Sequence, residues 1–188
     1  MNDNKDKWIL AFTGASGIIY GLRVLDELEK KGLEVHVVFS DAALRVLNDE
    51  EDVAVSQRES SNITFYSPKD IGAKLASGSV LFKGMLIVPC SMGTLGAIAN
   101  GLSQNLIQRA ADVTIKEGRQ LVIVPRETPL SAIHLENMLK LSRIGVSIVP
   151  AMPGFYLKPK NISELVDHQV LKILDIIKIP KENAKRWG

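Results

Sequence analysis

The run Trp8-Ile-Leu-Ala-Phe-Thr-Gly-Ala-Ser-Gly-Ile-Ile-Tyr-Gly21 constrains this chain most, because an apolar β-type stretch breaks into a glycine turn and then opens a helix. Backbone N–H groups in a first helical turn lack intrahelical partners, and the helix dipole adds positive potential there. An anion is drawn to such a point, and Gly14 and Gly17 let the backbone come close to it. A phosphate, and through it a nucleotide cofactor, is what the turn is suited to hold. The plain alternative is a tight strand-to-helix turn with no ligand.

The rest of the chain repeats the pattern. β-type runs fall at Trp8 to Thr13, Val35 to Phe39, Met85 to Pro89 and Leu121 to Pro125, with a shorter one at Val146 to Pro150. Helical spacing separates most of them: Ile18, Leu22, Leu25 and Leu28 recur on one face, and Gly32 is placed to stop that helix. Nearly unbroken apolar strands joined by helices predict an α/β fold with a doubly wound, mostly parallel sheet in a three-layer sandwich. Ligands in such folds sit beyond the carboxyl ends of the strands. The segment from Asp49 to Ser79 is polar, interrupted by Pro68, Gly72 and Gly78, with room for a short strand at Ile63 to Tyr66. At 188 residues the chain is read as one domain, 1–188, with a polar tail over 1–7. A C-terminal helix and tail occupy 160–188, and their stripe of Val166, Val170, Leu174 and Ile177 docks on the body or on a neighbouring subunit.

Charge narrows the partners. The 23 basic and 21 acidic side chains are interspersed and leave a net charge of +2, which argues against a nucleic-acid or membrane surface as ligand. Cys90 is the single cysteine, so no internal disulfide forms. The N-terminus lacks a signal-type apolar core and no apolar run reaches the ~18 residues that span a bilayer, so a cytoplasmic protein is expected.

Several groups of residues suit chemistry at strand ends. Val88-Pro-Cys-Ser-Met-Gly-Thr-Leu-Gly-Ala97 is a second strand-to-helix loop, where Ser91, Thr94 and backbone N–H groups either hold part of a cofactor or cap a helix. A third strand ends in Val124-Pro-Arg-Glu-Thr-Pro129, which makes Arg126 a clamp for a phosphate or flavin carbonyl, or else half of a surface ion pair with Glu127. Arg109, Asp112 and Lys116 share one side of a helix, either as an ion-pair ladder or as two cations that Asp112 orients toward a phosphate. Tyr156 lies in Pro150-Ala-Met-Pro-Gly-Phe-Tyr-Leu-Lys-Pro159, a segment its prolines stiffen. Lys172 falls on the solvent side of the last helix. His36, His134 and His168 share no ligand spacing, so no metal is expected, and Cys90 reads as a packed small residue.

Taken in order, Thr13-Gly-Ala-Ser-Gly17, Pro89-Cys-Ser-Met-Gly-Thr94, Arg109-Ala-Ala-Asp112, Pro125-Arg-Glu-Thr-Pro-Leu-Ser131, Ile133-His-Leu-Glu-Asn-Met138 and Pro153-Gly-Phe-Tyr156 resemble the UbiX flavin prenyltransferases. The resemblance implies a Rossmann-like or flavodoxin-like subunit, assembled as a dodecamer with FMN bound between subunits. It implies that reduced FMN is alkylated at N5 by a dimethylallyl group, that a second bond to C6 closes a ring, and that phosphate leaves. The prenylated FMN then serves a UbiD-type decarboxylase, in ubiquinone synthesis or aromatic-acid breakdown.

Carried over residue by residue, the resemblance makes Gly14, Ala15 and Ser16 flavin contacts, with the Ser16 hydroxyl near N5, and adds Ser40, Ser91, Met92, Gly93, Thr94 and Arg126. Tyr156 and Lys172 match residues that bind dimethylallyl phosphate, and Arg109, Lys116 and Glu127 complete that pocket. Ser16, Glu50 and Glu127 are the catalytic candidates, with Asp49, Glu51 and Asp52 adjacent to Glu50 as alternatives for its role. These types suit an allylic phosphate, whose ionisation needs cations at the departing anion and protection of the carbocation from water. Some members carry a tryptophan near Ile71, whose aliphatic side chain offers no π face. Two other readings compete: an FMN-dependent cysteine decarboxylase, and a nicotinamide oxidoreductase, which Tyr20 disfavours because it stands where the short-chain version wants glycine.

Overall fold

The structure, a computed structural model, describes residues 6–51 and 60–180. Its strands are β1 (Lys7–Phe12), β2 (Glu34–Phe39), β3 (Ile63–Tyr66), β4 (Gly84–Cys90), β5 (Gln120–Pro125) and β6 (Ser147–Ile148). The helices are α1 (Ile18–Lys30), α2 (Asp41–Glu50), α3 (Met92–Ala99), α4 (Leu106–Lys116), α5 (Ala132–Arg143) and α6 (Ile162–Ile176). The strands form one sheet in the order β3-β2-β1-β4-β5-β6, and every pairing is parallel. That is the Rossmann order rather than the flavodoxin one, and the chain reverses its winding between β1 and β4. A crevice therefore opens beyond the carboxyl ends of those two strands.

Strand alternation feeds two cores. Leu10, Phe12, Val35, Val37 and Val88 face α1, α2 and α6, and Phe12 stacks on Phe39 with ring centroids 4.0 Å apart. Ile9, Ala11, Met85 and Ile87 face α3, α4 and α5. Side chains cap four of the helices after the first: Ser40 accepts from Ala43 N–H, Ser91 from Thr94, Asn105 from Gln108 and Asn161 from Glu164. Before α5, Ser131 and His134 form a reciprocal capping box. Helix α1 lies unusually close to the sheet at Gly21, where any Cβ would run into the Val88 carbonyl and the Phe12 ring.

Some sequence-based boundaries move. β1 starts at Lys7, which removes that residue from the polar tail, and ends at Phe12 because Thr13 turns aside to bond with Pro89. The last strand shrinks from Val146–Pro150 to Ser147–Ile148, since an edge strand has one partner to hold it straight. Residues 1–5 of that tail and 181–188 of the C-terminal one lie outside the described residues. α6 packs along α1 through Val166, Val170, Ile173 and Leu174, and Arg23 adds an ion pair to Asp167 at 2.9 Å.

His36 is fully buried in β2, where its Nε2 lies 2.8 Å from Glu34 and its Nδ1 3.1 Å from the Tyr66 hydroxyl. Burial pushes its pKa below the ordinary value, and Lys74 pushes the same way against the pull of Glu34. The unfolded chain therefore takes up this proton first, so the contribution to stability is complete above the ordinary histidine pKa of about 6.5 and is lost as pH falls through the lower folded value. Urea denaturation of the wild type should lose stability between about pH 7 and pH 5 more steeply than that of His36→Gln. Equal slopes would place the acid sensitivity elsewhere.

Candidate functional site

Four strand ends are stitched into one rim at the crevice. Thr13 holds the centre: its hydroxyl donates to the Pro89 carbonyl at 3.1 Å and accepts from the Ser91 N–H at 2.7 Å, and its own N–H also donates to Pro89. On one side the Ser40 N–H donates to the Phe12 carbonyl, and on the other the Arg126 N–H donates to the Cys90 carbonyl. The turns after β1, β2, β4 and β5 thus share a hydrogen-bonded edge, and Gly14–Ser16, Ser40, Ser91–Thr94 and Arg126 all lie on it. Arg126 closes the rim with its side chain, since Nε donates to the Ser16 carbonyl at 3.2 Å. The alternative pairing with Glu127 does not form; the Glu127 carboxylate accepts from the Thr128 N–H instead. Beside it, a hollow of about 320 Å³ is lined by Arg126, Glu127, Leu130, Met138, Pro150 and Met152.

The glycine turn holds an anion of the protein's own. The N-terminus of α1 is capped by Gly17 at φ +97°, a conformation that suits glycine and brings no capping side chain. Glu50, the last residue of α2, fills that role: Oε2 accepts from the Gly17 N–H at 2.8 Å and from the Ile18 N–H at 3.0 Å. These are amides suited to a ligand phosphate, and in the structure a carboxylate of the chain itself satisfies the same dipole. Asp49 and Glu51 make no such contact, and Asp52 lies outside the described residues.

Ser91 caps α3, as one of its two readings has it, and Ser40 likewise caps α2; Ser91 also donates to the Thr94 hydroxyl at 3.2 Å. The hydroxyls nonetheless sit on the rim. The α4 cations are separate from it. Arg109 pairs with Asp112 at 2.7 Å, forming the first rung of the expected ladder, but Lys116 turns to Glu117 rather than to Asp112. Lys116 ends α4 just before β5 begins, at the amino edge of the sheet, opposite the crevice. Within one subunit it does not reach the rim residues.

Tyr156 and Lys172 belong to a third group, around α6. The Tyr156 hydroxyl lies 2.7 Å from His168 Nε2, with the two rings edge to face at 4.9 Å, and Lys172 is exposed one turn further along the helix. Sequence reasoning gave no role to His168 or Thr13. The His168–Lys172 spacing of one turn was the available signal for the first, and a threonine between an apolar strand and a glycine turn for the second. Cys90 is packed beneath the rim with its thiol pushed up to about 12 by burial. Among the described residues no three His, Cys, Asp or Glu side chains are grouped to hold a metal ion, and no helix is long and apolar enough to cross a membrane.

Comparison with known proteins agrees over almost the whole length. The family model for flavoproteins matches residues 1–180. The flavin prenyltransferase UbiX of Halalkalibacterium halodurans is 48% identical, over 98% of this chain and 94% of that protein. The crystal structure of AnUbiX in complex with FMN and dimethylallyl pyrophosphate superposes with a TM-score of 0.94 at 40% identity, covering 98% of each chain. A dodecameric FMN-dependent UbiX-like decarboxylase from Escherichia coli O157:H7 gives 0.93 at 43% identity, covering 97% of this chain and 99% of that one.

Thr13→Val keeps the shape of the side chain and removes the bridge, leaving the Ser91 N–H without its partner. Urea denaturation should show a loss of about 1–3 kcal/mol. An unchanged midpoint would mean that the rim holds without this bond. The Cys90 thiol should resist a maleimide at pH 8 in the folded protein and react once the chain is denatured. Rapid labelling of the folded form would contradict its burial.

Proposed function

The chain belongs to the flavoprotein family and, within it, to the flavin prenyltransferases, and on that premise we propose that its rim binds reduced FMN and joins it to a dimethylallyl group from dimethylallyl phosphate. The observation that carries this assignment to the crevice is the Arg126–Ser16 bond, in which the guanidinium donates to the Ser16 backbone carbonyl and so sets a cation beside an exposed serine on the rim. A rim of backbone N–H groups, small hydroxyls and one guanidinium suits a planar, polar-edged ring with a phosphate tail. Bound there in reduced form, FMN supplies the N5 and C6 positions that take up the allyl group as phosphate departs.

The chain's own residues do the rest. Gly14, Ala15, Ser40, Ser91, Met92, Gly93, Thr94 and Arg126 hold the flavin. Ser16 orients the reacting edge through its hydroxyl, while Arg126 pins its backbone. Glu50 and Glu127 are the carboxylates assigned to proton movement. Arg109, Lys116, Tyr156 and Lys172 receive the allylic phosphate and stabilise the anion as it leaves, which lowers the barrier most where water is excluded. Because Lys116 lies at the opposite edge of its own sheet, its share in this pocket comes from a neighbouring copy. That calls for an oligomer, and the dodecamer of the Escherichia coli relative is the assembly proposed here. Exposed Leu135 and Leu139 on α5, with Ile133 and Ile144 at its ends, offer apolar surface for it. The product is assigned to a UbiD-type decarboxylase, and the site of action to the cytoplasm.

Purified protein given FMN, reduced without oxygen and supplied with dimethylallyl phosphate, should yield a flavin heavier by one prenyl unit in mass spectrometry. Ser16→Ala and Lys172→Ala should each slow its formation by about ten- to a hundredfold while preserving the folded circular-dichroism spectrum. Turnover near the wild-type rate in both variants would overturn these site assignments.

A further inference from the structure

We propose that His168 is a positioning residue that holds the Tyr156 phenol in place as a hydrogen-bond donor to the allylic phosphate. The proposal rests on the assignment of Tyr156 to that phosphate. Its own basis is a hydrogen-bond chain whose direction is fixed at one end. The Gly154 N–H donates to His168 Nδ1 at 3.2 Å, and a backbone amide can only donate, so Nδ1 carries the lone pair. A neutral imidazole then carries its proton on Nε2, which lies 2.7 Å from the Tyr156 oxygen. The phenol oxygen is the acceptor in that bond, so its own O–H donates away from His168.

Packing holds the same arrangement. Tyr156 is 53% exposed, too open for the core to fix its rotamer. The edge-to-face contact with His168 restrains the ring. Gly154 is the residue between them in the turn: a Cβ there would stand 2.7 Å from the tyrosine ring and 3.1 Å from the imidazole, so any side chain would push the two rings off each other. The segment is tied to α6 a second time by Gln169, whose side-chain amide donates to the Pro150 carbonyl at 3.0 Å. His168 and Lys172, four residues apart, share one face of α6, so the imidazole that holds the phenol and the ammonium rise from the same helix. Because the phenol already meets the phosphate in the bound substrate, loosening it acts first on substrate binding.

The test uses FMN-loaded enzyme and reads both the Kd for dimethylallyl phosphate by calorimetry and the split between KM and kcat. His168→Leu should weaken binding and raise KM by about tenfold, with kcat within about twofold of wild type and FMN affinity unchanged. His168→Gln, whose amide nitrogen reaches toward the Nε2 position, should recover most of the loss. His168→Asn keeps an acceptor for Gly154 but falls short of Tyr156, and should not; it serves as the probe if the leucine variant folds poorly. Tyr156→Phe/His168→Leu should bind no worse than Tyr156→Phe alone. Additive losses, or wild-type binding in both His168→Leu and His168→Asn while Tyr156→Phe is impaired, would overturn the role of His168. Wild-type binding in Tyr156→Phe would overturn the underlying substrate assignment as well.

Discussion

One threonine hydroxyl ties the molecule together at its functional edge. Thr13 stands where β1 and β4 part, and its single oxygen gives a proton to Pro89 and takes one from Ser91. Strand ends in a parallel sheet leave backbone groups unpaired, and at a reversal point the two neighbouring turns run off to opposite faces. Without a bridge those turns would be joined only through the strands behind them. With it, the first glycine turn and the Ser91 turn share a fixed spacing, and the Ser40 and Arg126 turns extend the same edge outward.

The candidate residues fall into three groups that one subunit does not unite. The rim lies on the strand ends, Lys172 lies on α6 with Tyr156 held against that helix by His168, and Arg109 and Lys116 belong to α4 with carboxylates already beside them. Paired cations remain useful for a multiply charged ligand, since a carboxylate neighbour holds each side chain extended and can be exchanged for a phosphate oxygen. The separation has a structural origin. A helix crossing from one strand to the next must end at the amino edge, so the last turn of α4 points away from the crevice of its own sheet.

Much of this was legible from residue patterns, because apolar runs and helical spacing are set by burial alone. Trp8 to Thr13, Ile63 to Tyr66 and Leu121 to Pro125 mark strands to within a residue, and the Ser91 loop reads directly as a capped helix start. The order of strands was harder, since a glycine turn is common to the Rossmann and flavodoxin windings and long-range pairing distinguishes them. Arg126 shows the same limit within the site: its neighbour Glu127 suggested an ion pair, but the guanidinium reaches a carbonyl more than a hundred residues earlier in the chain. The role of His168 was equally hidden, because the direction of its hydrogen bonds depends on a backbone amide in a loop that precedes the helix.

Glu50 gives the glycine turn a property that a ligand would otherwise have to confer. By capping α1 with a carboxylate from α2, the protein neutralises the helix end and locks two helices of the same face to one another. The shape of the turn is thus set by the chain's own carboxylate, and preorganisation of this kind lowers the ordering cost of binding.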